Sequence, residues 1–217
     1  MAEWLEKTPL GAAIRACNAC PMRSKIRRPV PGVGPRSAKV VVIARSPSKY
    51  DDRAGKPMSG TFGDVLTECL ARLGVTRSHT GFVHTVSCFT TEPENRDPTY
   101  EEICACADWR ERQLSWFSNK KIVLAWGRPA INAVYGGVER MGDIVGELYK
   151  PSICRGRTDV ESWGVIPFWH PVYLMRDKET KLMFRNVLAP KVKETIADVM
   201  ENEVPWFSSE SQGDLFG

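Results

Sequence analysis

Val40–Gly60 reads VVVIARSPSKYDDRAGKPMSG. The β-branched run Val40-Val41-Val42-Ile43 closes on Ala44, and at Arg45 the chain turns polar and rich in Pro and Gly. A short, continuous apolar run bounded by turn residues is the pattern of a strand buried on both faces. Such strands belong to parallel sheets covered by helices. In open α/β sheets, ligands bind outside the carboxyl ends of the strands. The Arg45–Gly60 loop is therefore the first place to expect chemistry.

The same pattern recurs on either side. A second strand is expected at Phe82–Val86, ending in Ser87-Cys88, and a third at Ile122–Trp126, running into Gly127-Arg128-Pro129. A fourth, Gly164–Trp169, ends at His170-Pro171. Helical signals fill the intervals. Thr61 would cap a helix to Leu73, with Val65, Leu66, Cys69, Leu70 and Leu73 on a core face and Gly74 as its stop. Thr99-Tyr100-Glu101-Glu102 is a capping-box pattern, and Lys181–Met200 reads as helix. Strands alternating with helices predict a three-layer α/β/α sandwich with a central, mainly parallel four-stranded sheet. Residues 1–200 would form one domain, and residues 201–217 a flexible polar tail. The strand ends at Arg45, His84–Cys88, Gly127–Pro129 and His170 would then converge on one crevice.

The 217 residues carry a net charge of +4, a balance that permits an anionic partner without requiring one. The start, MAEWLEKTPL, lacks the basic-then-apolar order of a signal peptide, and no apolar run is long enough to span a membrane. A cytoplasmic monomer with no membrane contact is expected. The basic segment Arg23–Arg36 (RSKIRRPVPGVGPR) reads as a solvated connector or a phosphate-contacting arm. The seven cysteines are Cys17, Cys20, Cys69, Cys88, Cys104, Cys106 and Cys154. In a reducing compartment they suggest metal ligation or burial rather than disulfides. The Cys17-x-x-Cys20 pair alone fits zinc, iron–sulfur or redox use. Cys104 and Cys106, two apart on a helix, cannot share a face, so at most one joins a cluster.

Taken in order, these residues resemble the iron–sulfur branch (families 4 and 5) of the uracil-DNA glycosylase superfamily, over about residues 17–199. The matching features are the CxxC, Val30-Pro31-Gly32-Val33-Gly34-Pro35, and Pro47, Asp51, Asp52, Gly55, Pro57 and Gly60 in ungapped register. They continue through Cys88, Asn95-Arg96-Asp97-Pro98, Glu101-Glu102-Ile103 with Cys106, and His170-Pro171-Val172-Tyr173-Leu174-Met175-Arg176. The resemblance implies a glycosylase that flips a pyrimidine from DNA and cuts its N-glycosidic bond. It assigns a [4Fe-4S] cluster to Cys17, Cys20, Cys88 and Cys106, with zinc the weaker reading of a four-cysteine set. It makes His170 the donor to the departing base. It also implies DNA contacts by Arg27, Arg28, Gly32, Gly34, Arg96, Tyr173 and Arg176, with Leu174 or Met175 as an apolar wedge.

Within that frame several positions depart from the family. Ala44-Arg45 replaces Gly-Glu at the strand end, so the usual water-positioning carboxylate is missing. Met58 stands where a Phe stacks on uracil, and His84 where an Asn reads its edge. The base pocket would comprise Arg45, Ser46, Pro47, Met58, Ser59 and Gly60, with Asp51 or Asp52 as carboxylate beside His84 and His170. The expected substrate is a modified or enlarged pyrimidine. Ordinary uracil excision and base binding without cleavage are the alternatives. Finally, Gln212-Gly213-Asp214-Leu215-Phe216 resembles the bacterial sliding-clamp-binding pentapeptide, which implies a bacterial or phage-encoded protein.

Overall fold

The computed structural model describes residues 4–90, 96–136, 140–151 and 163–202. Its centre is a four-stranded, all-parallel sheet built from β1 (Val40–Ala44), β2 (Thr80–His84), β3 (Ile122–Trp126) and β4 (Gly164–Phe168), in the order β2-β1-β3-β4. Each five-residue strand is buried throughout. The register levels the strand ends. Ala44 pairs with both His84 and Trp126, and Trp126 pairs with Phe168. Four loops therefore leave the sheet along one line.

The helices, in chain order, are α1 (Pro9–Arg15), α2 (Lys49–Ala54), α3 (Gly60–Arg72), α4 (Tyr100–Ala105), α5 (Ala107–Trp116) and α6 (Arg128–Val134). They continue with α7 (Pro171–Arg176), α8 (Lys178–Met183) and α9 (Ala189–Glu201), a π turn at Phe184–Leu188 joining the last two. Side-chain alternation along the strands divides the core. Val40, Val42 and Ala44 pack with Trp126 and Phe168 under Leu66 and Leu70 of α3 and Val192 and Ile196 of α9. Val41 and Ile43 pack with Val83 and Val123 under Leu114 of α5 and Ile131 and Val134 of α6. This is the expected α/β/α sandwich. Cys69 lies in the first of these cores as its helical register requires, its thiol pushed up to about 12 by burial.

The chain departs from its sequence reading in several places, one of them the start of α3, where Ser59 rather than Thr61 is the N-cap residue. β2 begins and ends two residues earlier than the apolar run suggests, because its register is set by pairing with β1 from Val40 opposite Thr80. The Arg45–Gly60 segment is not all loop: Ser48 caps α2, and the Asp51 side chain returns the bond to the Ser48 backbone. Pro29–Pro35 is buried apart from the half-buried Val33, rather than solvated. Val33 exchanges hydrogen bonds with Phe82, and Gly32 N–H donates to Gln113 Oε1 at 2.6 Å, so this stretch covers the open edge of β2. A Cβ on Gly32 would meet the Phe82 carbonyl at 2.5 Å. Finally, the segment after His170 is the helix α7. Among the described residues, no helix is long and apolar enough to cross a membrane.

Candidate active site

At the sheet's carboxyl edge a cavity of about 500 Å3 opens between the β1–α2 connection and the β4–α7 connection. Its walls include Arg45, Ser46, Tyr50, Asp51, Phe62 and His170. The imidazole of His170 lies 5.2 Å from the Phe62 ring, tilted by 34°. Gly127 admits it from the other side. Gly127 has φ +88°, and a Cβ there would come within 3.3–3.4 Å of His170. Burial, helped by the Arg45 charge and opposed by Asp97, holds the His170 pKa down to about 4. His170 is therefore a neutral imidazole at physiological pH.

Asp51 is 1% exposed. Its Oδ2 accepts from Ser48 N (2.8 Å) and Ser48 Oγ (3.0 Å), and its Oδ1 accepts from Ser59 N at 2.6 Å. One carboxylate thus closes the α2 cap and ties it to the start of α3. Its Oδ2 also lies 3.9 Å from His84 Nε2. His84 is 3% exposed, and burial lowers its pKa to about 4 against the pull of Asp51. Its Nδ1 has no hydrogen-bond partner among the described residues.

Asp52 is turned away from this cavity. It accepts from the backbone N–H groups of Arg27 (3.1 Å) and Arg28 (3.3 Å), fastening the basic arm to α2. Met58 is also not a wall of the pocket. Its backbone is left-handed (φ +57°), and its side chain enters the core at 2% exposure. Pro47 is buried, and Ser59 and Gly60 frame the α2–α3 junction without lining the cavity. The aromatic wall is supplied instead by Phe62 and Tyr50, which the sequence motifs do not single out. The signal for Phe62 is its place in the first turn of α3, immediately after the pocket loop.

The DNA-contact candidates separate by burial. The side chains of Arg27, Arg28 and Arg176 are exposed, and Tyr173 is 57% exposed. Leu174, expected as a wedge, is 5% exposed and belongs to the core, because α7 turns it inward while Tyr173 faces out. Gly32 and Gly34 are held against β2 rather than offered to a ligand. Arg96 is committed to a two-pronged pair with Glu102 at the start of α4. The other wedge candidate, the Met175 side chain, lies outside the described residues. So do Asn95, Cys154 and the motif Gln212, Asp214, Leu215 and Phe216, with residues 203–217 as a whole.

A second constellation lies beside the arm. Cys17 follows α1, Cys20 precedes Pro21, Cys88 follows β2, and Cys106 stands at the α4–α5 junction. Burial and the neighbouring charges of Cys106, Cys20 and Cys17 all push the Cys88 thiol pKa up, and Arg23 opposes them. Trp109 Nε1–H donates to Cys17 Sγ at 3.2 Å, and Ser87 N–H donates to Cys106 Sγ at 3.3 Å. Burial pushes the Cys106 thiol pKa up as well, opposed by the Ser87 hydrogen bond and by Arg110, which is itself 5% exposed. The two N–H donors are of the kind that supports sulfur ligands from outside the coordination shell. Cys104 is exposed and takes no part in this coupling. Among the described residues, no three His, Cys, Asp or Glu side chains stand close enough to chelate a single metal ion.

Comparison with known proteins agrees with this architecture. A family model described as the uracil DNA glycosylase superfamily matches residues 31–191. A type-4 uracil-DNA glycosylase of Pyrobaculum aerophilum is 28% identical over 81% of this chain and 88% of its own length. Enzymes of the same description are 31% identical in Archaeoglobus fulgidus (75% of this chain, 79% of theirs) and 30% in Thermotoga maritima (78% and 83%).

Proposed function

The chain belongs to the uracil-DNA glycosylase superfamily, and on that footing we propose that it is a DNA glycosylase acting on a pyrimidine that carries a substituent. The observation that supports this most directly is the neutral His170, packed on Phe62 in the wall of a 500 Å3 cavity that the Asp51 carboxylate also lines. A base turned out of the DNA would enter this cavity, against the wall that these groups form. As the bond from base nitrogen to sugar C1′ breaks, its electron pair moves onto the base. An imidazole N–H aimed at a base carbonyl would stabilise that charge without itself giving up a proton. The Asp51 carboxylate would lie on the side of the cationic sugar. Water then adds to C1′, and its proton ends on the released base. The replacement of the family's Glu by Arg45, and the departure of residue 58 into the core, argue against a pocket shaped for uracil alone. Binding without cleavage is the competing reading, favoured by one fact: both Asp51 oxygens already accept hydrogen bonds.

Cys17, Cys20, Cys88 and Cys106 would hold a [4Fe-4S] cluster. Cys88 lies within charge range of Cys106, Cys20 and Cys17, and four neighbouring thiols are the donor set that such a cluster takes. When bound, the cluster supplies a covalent cross-link among three chain segments and a redox-active centre. The chain's own part is to shield it and to donate N–H bonds from Ser87 and Trp109 to its ligands.

Arg27, Arg28, Tyr173 and Arg176 form the proposed DNA contacts, and affinity should fall steeply with salt. The pentapeptide at Gln212–Phe216 is proposed to bind a bacterial sliding clamp. Truncation after Ser211 should abolish clamp pull-down, and unchanged capture would refute that assignment. The deciding experiment for the enzyme is incubation with DNA bearing single uracil or substituted-pyrimidine sites, followed by alkali. Strand breaks at the site support a glycosylase, and tight binding without breaks supports the competing reading. Iron and acid-labile sulfide in the purified protein test the cluster.

A further inference from the structure

A second cavity, of about 450 Å3, adjoins the first. Arg45 and His170 line both and so form the partition between them. The far chamber is walled by Asp97, Arg128, Trp169 and Tyr173, with Met141 and Thr180 closing it. Among the described residues, the charged side chains in its walls are Arg45, Arg128 and Asp97. That carboxylate is a weak occupant. Asp97 reaches Arg45 Nη1 at 3.1 Å, but its side chain is 62% exposed against 21% for Arg45. Ion pairs so open to solvent contribute little. Arg45 Nε is also buried, with no hydrogen-bond partner among the described residues. A buried guanidinium N–H without an acceptor is uncommon unless something outside the chain supplies one.

We propose that this chamber is a subsite for an anionic substituent on the target pyrimidine, of the carboxylate or phosphate class, which displaces Asp97 and pairs with Arg45. The inference rests on the glycosylase reading for the identity of the ring and adds the charge of what the ring carries. Arg45 springs from the end of β1 and stands at the floor between the two cavities. Arg176, exposed and in the wall of the first cavity, is the cation placed for a backbone phosphate. A planar guanidinium with an unused edge matches a two-oxygen anion. Asp97 occupies the position in the free protein and acts as the anion's competitor.

A backbone phosphate carries the same oxyanion chemistry, so the test must hold the phosphates constant. One oligonucleotide sequence is prepared with a single uracil, 5-hydroxymethyluracil or 5-carboxyuracil, and single-turnover excision and equilibrium binding are measured for each. The wild-type protein is expected to favour the carboxylated base over the hydroxymethyl base by at least about tenfold, which is about 1.4 kcal/mol. Arg45→Gln should abolish that ratio. Asp97→Asn, an exposed substitution that leaves Arg45 in place, should increase it. A wild-type ratio near one overturns the inference, as does an Arg45→Gln protein that weakens all three substrates equally, the signature of a phosphate contact. If the carboxylated base is bound preferentially but none is excised, the subsite stands and the glycosylase reading falls. If every base is excised without preference, the reverse holds.

Discussion

Replacing Asp51 by Asn tests whether one carboxylate holds the floor of the site together. The side chain accepts three hydrogen bonds, from Ser48 N, Ser48 Oγ and Ser59 N, at 2.6–3.0 Å and 1% exposure. Asn keeps one acceptor oxygen and presents an NH2 in place of the other. If the oxygen stays on Ser59, the NH2 confronts the Ser48 N–H and the capping box loses its return bond. The hydroxyl of Ser48 can rotate to accept, so the net loss is one charge-assisted bond with its donor left unsatisfied, about 2–3 kcal/mol. For a chain of this size that corresponds to a fall in Tm of about 5–10 °C. Urea denaturation followed by circular dichroism measures it directly. Ser48→Ala serves as the companion variant: it removes the cap and leaves the carboxylate, and should cost about 1 kcal/mol. An Asp51→Asn protein within about 0.5 kcal/mol of wild type would mean that the carboxylate is not the anchor described here.

Three further outcomes are expected. The pKa of His84 is near 4 in the folded chain against 6.5 when free, so the unfolded state binds the extra proton first. Its contribution, roughly 3 kcal/mol, is intact above pH 6.5 and is lost as pH falls through 4. His84→Gln should flatten that acid limb in a stability–pH series, and an unchanged limb would place the titration elsewhere. The two neighbours on α7 should separate stability from binding. Leu174→Ala should cost about 2–5 kcal/mol by opening a core cavity, whereas Tyr173→Ala should leave stability within about 0.5 kcal/mol and weaken DNA binding. Equal effects of the two on folding would contradict their assigned orientations. Trp109→Phe removes the N–H donated to Cys17, worth about 1 kcal/mol, so chelator should strip iron several-fold more readily. Iron retention equal to wild type would show that the bond does not support the ligand.

Much of the framework is legible because it follows from local patterns. The apolar runs at Val40–Ala44 and Ile122–Trp126 are strands to the residue, and the box at Thr99–Glu102 forms as read. The convergence of four strand ends also follows from the alternation of elements. What stays hidden depends on direction. Whether residue 58 faces the cavity or the core is decided by one left-handed backbone angle, which a Met does not advertise. Leu174 reads as a wedge until the helical turn of α7 is known to direct it into the core. The Pro- and Gly-rich arm reads as solvated because its partner, the open edge of β2, is about fifty residues away in the sequence. The pair Ser48 and Asp51 does carry a local signal, a capping box, which the glycine and prolines around it obscure.

The position of α5 has a consequence for how the chain is made. Gln113 holds Gly32 across 81 residues, and Trp109 reaches Cys17 across 92. Closing loops of that length is slow relative to local helix formation. During synthesis, the first two cysteines and the edge-covering arm emerge long before the helix that receives them. Until residue 113 has left the ribosome, the arm over β2 has no glutamine to hold it and Cys17 no indole donor. The interval in which the nascent protein is open to mispairing or to premature metal capture is therefore set by the distance in sequence to one helix, and a slow codon or a pause before α5 would lengthen it.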